Sequence, residues 1–269
     1  MDIKKKIIRS LLKRSSFQNY QNDLEAVKEK LDNHLIILCA PKSGSTWLSR
    51  IMKNILKYDE IQMVSTFGHR EQEIDFYYFL TQQPKGSVFS PHLHLKYSEY
   101  SESFFRKIDT KIIFQVRDIY DSVISLLDHV DKEGTAFPSA YISKSNWENM
   151  NRNEKIEFIV DLAIPWYISF YAGWYKSSLF NSDNFHLLTY ESLLNDTNGE
   201  VSKIIDRFSL NIEKSDVELS INSVSKNNTR KNVGIVGRGQ DINQNTRNKI
   251  NRMASYHKDV DFTPLGIKL

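Results

Sequence analysis

The stretch His34–Leu56 reads HLIILCAPKSGSTWLSRIMKNIL. Leu35, Ile36, Ile37, Leu38 and Cys39 form an unbroken apolar run, which suits a strand buried on both faces of a parallel sheet better than a half-exposed one. Pro41 ends the run, and Lys42, Ser43, Gly44, Ser45 and Thr46 make a tight turn of small residues. Leu48, Ile51, Met52, Ile55 and Leu56 then recur at helical spacing, so a helix is predicted to start near Thr46. Strand, glycine turn and helix together bring unpaired backbone N–H groups, hydroxyls and one ammonium to a single point. That is an anion site, most naturally a phosphate site. A standard ATP or GTP loop needs a second glycine and places its lysine after it. Here Lys42 precedes the glycine, so this is not a standard ATP or GTP loop.

A second strand–helix junction stands further along. Lys111–Val116, KIIFQV, reads as a strand closed by Arg117-Asp118, and a helix is expected over Ile119–Val130 with Asp118 as its cap. Its apolar stripe is Ile119, Val123, Ile124, Leu126, Leu127 and Val130. Asp118, Asp121, Ser122, Ser125 and His129 fall on the other face, Ser125 about two turns along. An arginine at a strand's carboxyl end and a serine on the next helix can share one anion, and the carboxyl edge of a parallel sheet is where such ligands bind.

PKSGSTW (41–47) closely resembles the 5′-phosphosulfate loop, usually PKSGTTW, of the sulfotransferases that use 3′-phosphoadenosine-5′-phosphosulfate (PAPS); Ser45 replaces a threonine and keeps the hydroxyl. RDIYDSVIS (117–125) resembles their 3′-phosphate motif RNPKDVAVS, with arginine and serine eight residues apart in both. Tyr190-Glu191 resembles the family's YE pair, whose tyrosine approaches the adenine. RKNVGIVGRG (230–239) is similar to the late RKGxxG element that closes over the nucleotide. Asn232 stands where that element has glycine and no tryptophan follows the second glycine, so the N-x-G-x-x-GRG ending of some bacterial relatives is the better likeness.

The resemblance spans Leu35 to Gly266. It implies an α/β fold, three-layer α/β/α around a central parallel sheet and P-loop-like, with a single sulfotransferase domain over 34–269. Residues 1–33 are expected to be an N-terminal helical segment packed on it. The implied reaction moves a sulfuryl group in line from PAPS to a hydroxyl or amine, leaving adenosine-3′,5′-bisphosphate (PAP), with no metal required. By the same likeness Lys42 would face the leaving 5′-phosphate, and Ser43, Gly44, Ser45 and Thr46 would supply backbone or hydroxyl donors. Trp47 and Tyr190 would meet the adenine. Arg117 and Ser125 would grip the 3′-phosphate, with Arg230, Lys231 or Arg238 closing from the other side. The family's base is the histidine of a KTHLP-like segment between the two phosphate motifs. His94 matches it, and His92 stands where the family has lysine. Histidine's ordinary pKa suits a base near neutral pH, and period-two spacing in an extended segment points both rings the same way. Both remain in play.

Composition sets the outer limits. A chain of 269 residues with 40% hydrophobic and 26% charged content fits one α/β domain with a sizeable core. A net charge of +3 gives no licence for nucleic-acid binding. Cys39 is the only cysteine, so no intrachain disulfide or thiol metal cluster forms. The apolar runs fall short of a membrane span and no signal-peptide core is evident, which makes a cytoplasmic protein the default. Residues 1–14, MDIKKKIIRSLLKR, hold six basic residues against Asp2 and an apolar stripe at Ile7, Ile8, Leu11 and Leu12. They read as a membrane-surface helix or, by preference, as a solvated helix packing its stripe on the domain.

Further elements are expected as helices at 22–31, Glu71–Leu80, Glu99–Lys107, Glu154–Leu179 (interrupted by Pro165), Glu200–Phe208, Lys214–Ile221 and Thr246–Ser255. Strands are expected at Ser87–Ser90 and Phe185–Thr189. Residues 131–153 read as a polar loop and possible lid. Acceptor-pocket walls would come from 60–85 and 131–153, whose aromatics suit a small-molecule, lipid or glycan acceptor. The competing functions are a nucleotide kinase and a catalytically silent nucleotide-binding or scaffold protein. Oligomeric state is not legible in the sequence.

Overall fold

The structure, a computed structural model, describes residues 17–65, 73–134, 136–137, 140–226 and 235–269. In chain order the elements are α1 (Phe17–Lys28), β1 (Leu31–Cys39), α2 (Ser45–Leu56), β2 (Asp59–Glu60), α3 (Phe76–Thr81), β3 (Gly86–Leu93), α4 (Glu99–Lys107), β4 (Lys111–Val116) and α5 (Ile119–Glu133). There follow β5 (Ala136–Phe137), β6 (Ala140–Tyr141), α6 (Lys144–Asn149), α7 (Arg152–Leu162), α8 (Ile164–Tyr175) and β7 (Phe185–Thr189). The chain continues with α9 (Tyr190–Asn195), α10 (Thr197–Arg207), α11 (Lys214–Lys226), a 3-10 turn at Arg238–Asp241, α12 (Gln244–Ser255) and a last 3-10 turn at Thr263–Leu265.

Five strands form one parallel sheet in the order β2-β3-β1-β4-β7. Alternate residues of β1 go to opposite faces, as a period of two requires. Leu35, Ile37 and Cys39 pack with Leu48, Ile51 and Met52 of α2, Val201 and Ile204 of α10 and Val217 of α11. Ile36 and Leu38 join the larger core with Leu24 and Val27 of α1, Phe104 of α4, Val123 of α5, Ile159 of α7, Phe170 and Trp174 of α8 and Ile250 of α12. Helices on both faces of a parallel sheet make the three layers expected.

Several bounds differ from the expectations. β1 begins at Leu31 rather than at Leu35, because Leu31 and Asn33 already pair with Gly86 and Ser87. β3 runs through Pro91 and His92 to Leu93. Ile36 pairs with Ser90 and Leu38 with Leu93, so the chain gains a residue there, a bulge that tolerates a proline. α3 starts at Phe76, where the Asp75 side chain accepts from Tyr78 N–H. The stretch 131–153 is not a plain loop: α5 extends to Glu133, and the antiparallel β5–β6 pair and α6 follow. Asp131 anchors it, accepting from Trp147 Nε1 and Lys155 Nζ, both at 2.8 Å. Arg152–Tyr175 is long and apolar enough to cross a membrane, but it is mostly buried inside the fold and serves as core. Residues 1–14 lie outside the described residues.

Candidate active site

The strand order lines up the turns that carry the chemistry. β3, β1, β4 and β7 are successive neighbours, about 4.8 Å apart in a sheet. Their carboxyl ends present His94, Lys42, Arg117 and Tyr190 in that sequence. The last β1–β4 pair is Cys39 with Gln115, and the last β4–β7 pair is Val116 with Thr189.

The turn after β1 is tightly wound. Lys42 and Gly44 both take left-handed backbone angles, with φ of 65° and 86°. Ser43 is fully buried, and its N–H and hydroxyl both donate to Ala40 O, at 3.3 and 2.7 Å. Its hydroxyl closes the turn. Ser45 and Thr46 open α2, where the first N–H groups have no intrahelical acceptor. Thr46 is exposed, and Trp47 is half-buried against the α2-side core. A Cβ on Gly44 would lie 2.6 Å from the Tyr190 ring, so that ring rests directly on the loop backbone.

Arg117 joins the two junctions. It is buried, its Nη1 donates to Lys42 O at 3.3 Å, and its guanidinium carbon lies 4.5 Å above the Tyr190 ring. Nη2 donates to Ile235 O at 3.2 Å and stands 3.5 Å from Asp121 Oδ2, while the buried Nε has no partner. A buried guanidinium with long bonds and an orphaned N–H retains capacity for an anion. Ser125 is buried on α5, and so are Asp121 and Ser122. The polar face of α5 is thus no solvated surface; the glycine turn around 237–241 lies over it. Arg238 arrives on that face one turn beyond Ser125, with Nη2 donating to Asp128 Oδ2 at 2.6 Å, so its charge is already paired. Arg230 and Lys231 lie outside the described residues.

Both histidines occupy the other flank. His94 Nδ1–H donates to Cys39 O at 2.9 Å, with Cys39 Sγ 3.5 Å from the same nitrogen, which leaves the ring's lone pair on Nε2. Burial, with a smaller contribution from the Lys42 ammonium, takes its pKa down to about 4 against the pull of that carbonyl. His92 Nδ1 is 3.1 Å from Ser49 Oγ, and the two rings are 5.8 Å apart. Burial, then His94, lowers the His92 pKa to about 3. Both rings are neutral at pH 7.

Sequence reasoning gave three residues here no role. Asp121, at the fifth position of the RDIYDSVIS motif, accepts from Gly237 N–H and Gly239 N–H at 2.9 and 2.8 Å. Gln115 is fully buried beneath Gly44 with both amide atoms unpartnered, and Ser49 holds His92. Asp121 was legible from its place in the motif; the other two carry no sequence signal. Among the described residues no group of three His, Cys, Asp or Glu could hold a metal ion. Tyr97, three residues past His94, lines a cavity of about 860 Å³ with Tyr20, Phe76, Tyr77 and Tyr100 and with the polar Glu99, Glu102, Ser103 and Arg106; neither histidine lines it.

The adjacent ends of β3, β1, β4 and β7 thus gather a lysine loop, a buried arginine and two histidines at one edge of the sheet. The family model described as the sulfotransferase domain matches residues 32–264, and the chain belongs to the sulfotransferase family. It is 28% identical over 203 residues to rat (Rattus norvegicus) sulfotransferase 2A1, covering 70% of this chain and 63% of that one. It is 27% identical over 197 residues to a guinea pig (Cavia porcellus) 3-alpha-hydroxysteroid sulfotransferase, covering 67% and 61%. The match therefore spans under two thirds of those relatives' length. Among solved structures, mouse sulfotransferase SULT7A1 complexed with PAP superposes with a TM-score of 0.61 at 15% identity, over 90% of each chain, a likeness of fold.

Proposed function

We propose that the chain is a PAPS-dependent sulfotransferase that moves a sulfuryl group to the hydroxyl of an apolar small molecule, His94 being the base. The observation that carries the reading is Arg117, which is buried, bonded to the Lys42 carbonyl and left with an unpartnered Nε. That direct bond between the two junctions supports a single nucleotide spanning both phosphate motifs. The residues present fit such a donor: the glycine loop, Lys42, Arg117 and Ser125 are cationic or hydrogen-bonding groups at one sheet edge. When bound, PAPS supplies the sulfuryl group and a bisphosphate leaving group. Lys42 and the α2 N-terminus then offset charge at the 5′ end, by analogy with phosphoryl transfer. Arg117 and Ser125 hold the 3′ end. His94 Nε2 takes the acceptor's proton, its tautomer fixed by Cys39 O.

The hydroxysteroid activity in a relative's name favours an apolar alcohol over a glycan. One domain over 34–269, with the N-terminal segment packed on it, and a cytoplasmic setting belong to the same proposal. Titration calorimetry with PAP and with ATP tests it first, and tight PAP binding without comparable ATP binding is expected. Labelled PAPS incubated with a panel of hydroxysteroids, phenols and retinol then tests the transfer. No PAP binding ends the reading. PAP binding with no acceptor labelled points instead to a silent nucleotide-binding protein.

A further inference from the structure

The glycine turn is held by a carboxylate that the reaction itself does not call for. Asp121 is almost fully buried in the first turn of α5. Capping does not require it, since Asp118 Oδ1 already accepts from Asp121 N–H at 2.9 Å. Its oxygens face the glycine turn: Oδ1 accepts from Gly239 N–H and Oδ2 from Gly237 N–H, with Arg117 Nη2 beside Oδ2. The turn is pressed close enough that a Cβ on Gly239 would lie 2.4 Å from Tyr120 Cβ and 2.9 Å from Asp121 N. Arg247 secures the far side, donating to Gly239 O and stacking 4.2 Å over the Tyr120 ring. The same turn brings Arg238 to Asp128 on the Ser125 face and gives Arg117 an acceptor at Ile235 O.

A bare carboxylate beside a site for a phosphate repels it. Here two N–H groups and a guanidinium surround Asp121, so its effect on the ligand passes through the groups it holds. We propose that Asp121 is a positioning residue for the 3′-phosphate: it latches the turn 235–241 onto α5 and orients Arg117, which makes the site select nucleotides phosphorylated at the 3′ position. This rests on the donor reading given above.

Asp121→Asn keeps the shape but exchanges one acceptor for an NH2 that cannot accept from glycine N–H. PAP should bind about 10- to 100-fold more weakly, while adenosine 5′-monophosphate, which lacks the 3′-phosphate, binds as it does to the wild type. Without any ligand, the Gly237 and Gly239 amides should exchange hydrogen faster than in the wild type. Unchanged PAP affinity, an equal loss for both nucleotides, or unchanged exchange at those glycines would overturn the latch. Should Asp121→Asn not fold, Gly239→Ala attacks the same contact from the turn and predicts the same split. A wild-type protein that binds PAP no better than the monophosphate would remove the donor reading instead, with the exchange measurement still deciding whether Asp121 holds the turn.

Discussion

At the scale of single residues, His94 and Lys42 carry the strongest expectations. Removing a base or a transition-state donor costs about 10²–10³ in rate. His94→Ala should therefore lose turnover while PAP binding by calorimetry stays near wild type, and Lys42→Ala should lose turnover as well. Near-normal turnover by His94→Ala together with an inactive His92→Ala would move the base to His92. The direction of the pKa shifts adds a second test. A base works when neutral, and burial has brought His94 down to about 4. The acid limb of kcat/KM should thus fall near pH 4, well below the 6.5 of an ordinary histidine. The neighbouring histidine was recognised from the likeness to the family's KTHLP-like segment, with period two placing both rings on one side of an extended segment. Which ring nitrogen bears the proton was not, since that depends on a carbonyl 55 positions earlier in the chain.

At the scale of elements, the loop between β1 and α2 is under the tightest constraint. Gly44 has φ of 86° and sits under the Tyr190 ring, whose nearest atom would be 2.6 Å from an added Cβ. Gly44→Ala should therefore displace the ring or the loop, with the melting midpoint lowered by roughly 2–6 °C and PAP binding weakened together. Retention of both would show that the loop relaxes without cost. Helix and strand identities here were readable: α4, β4 and β7 begin and end where their periodicity places them. The misses have local causes. Pro91 seemed to end a strand, yet a bulge absorbs it. The polar composition of 131–153 concealed α6, which is fixed by the Ser143 cap and by Trp147 reaching Asp131.

At the scale of the whole molecule, buried neutral histidines tie stability to pH. His34 lies inside the sheet between Thr110 Oγ1 and Ser90 Oγ, 2.9 Å from each, and burial takes its pKa to about 3. The unfolded chain binds a proton there below about pH 6.5 and the folded chain does not until about pH 3. Stability from this group is complete above 6.5 and falls with pH through that window, by about 1.4 kcal/mol per unit. The urea midpoint should drop between pH 7 and pH 5, and less so in His34→Gln. Equal drops in the two proteins would assign the acid sensitivity to other groups, His92 and His94 first.

The sequence by itself determined the local pieces: a both-faces-buried strand, a lysine–glycine turn, a capped helix after Arg117, and two histidines on one extended segment. Hydrophobic period and turn chemistry are short-range properties, so they are written in neighbouring residues. Only the tertiary structure decided that β4 lies directly beside β1, with β3 on the other side and β7 beyond. Strand order is set by which faces the helices bury, and that packing alone brings residues 42, 94, 117 and 190 to one edge. The burial of Asp121 under a glycine turn more than a hundred residues away has the same origin.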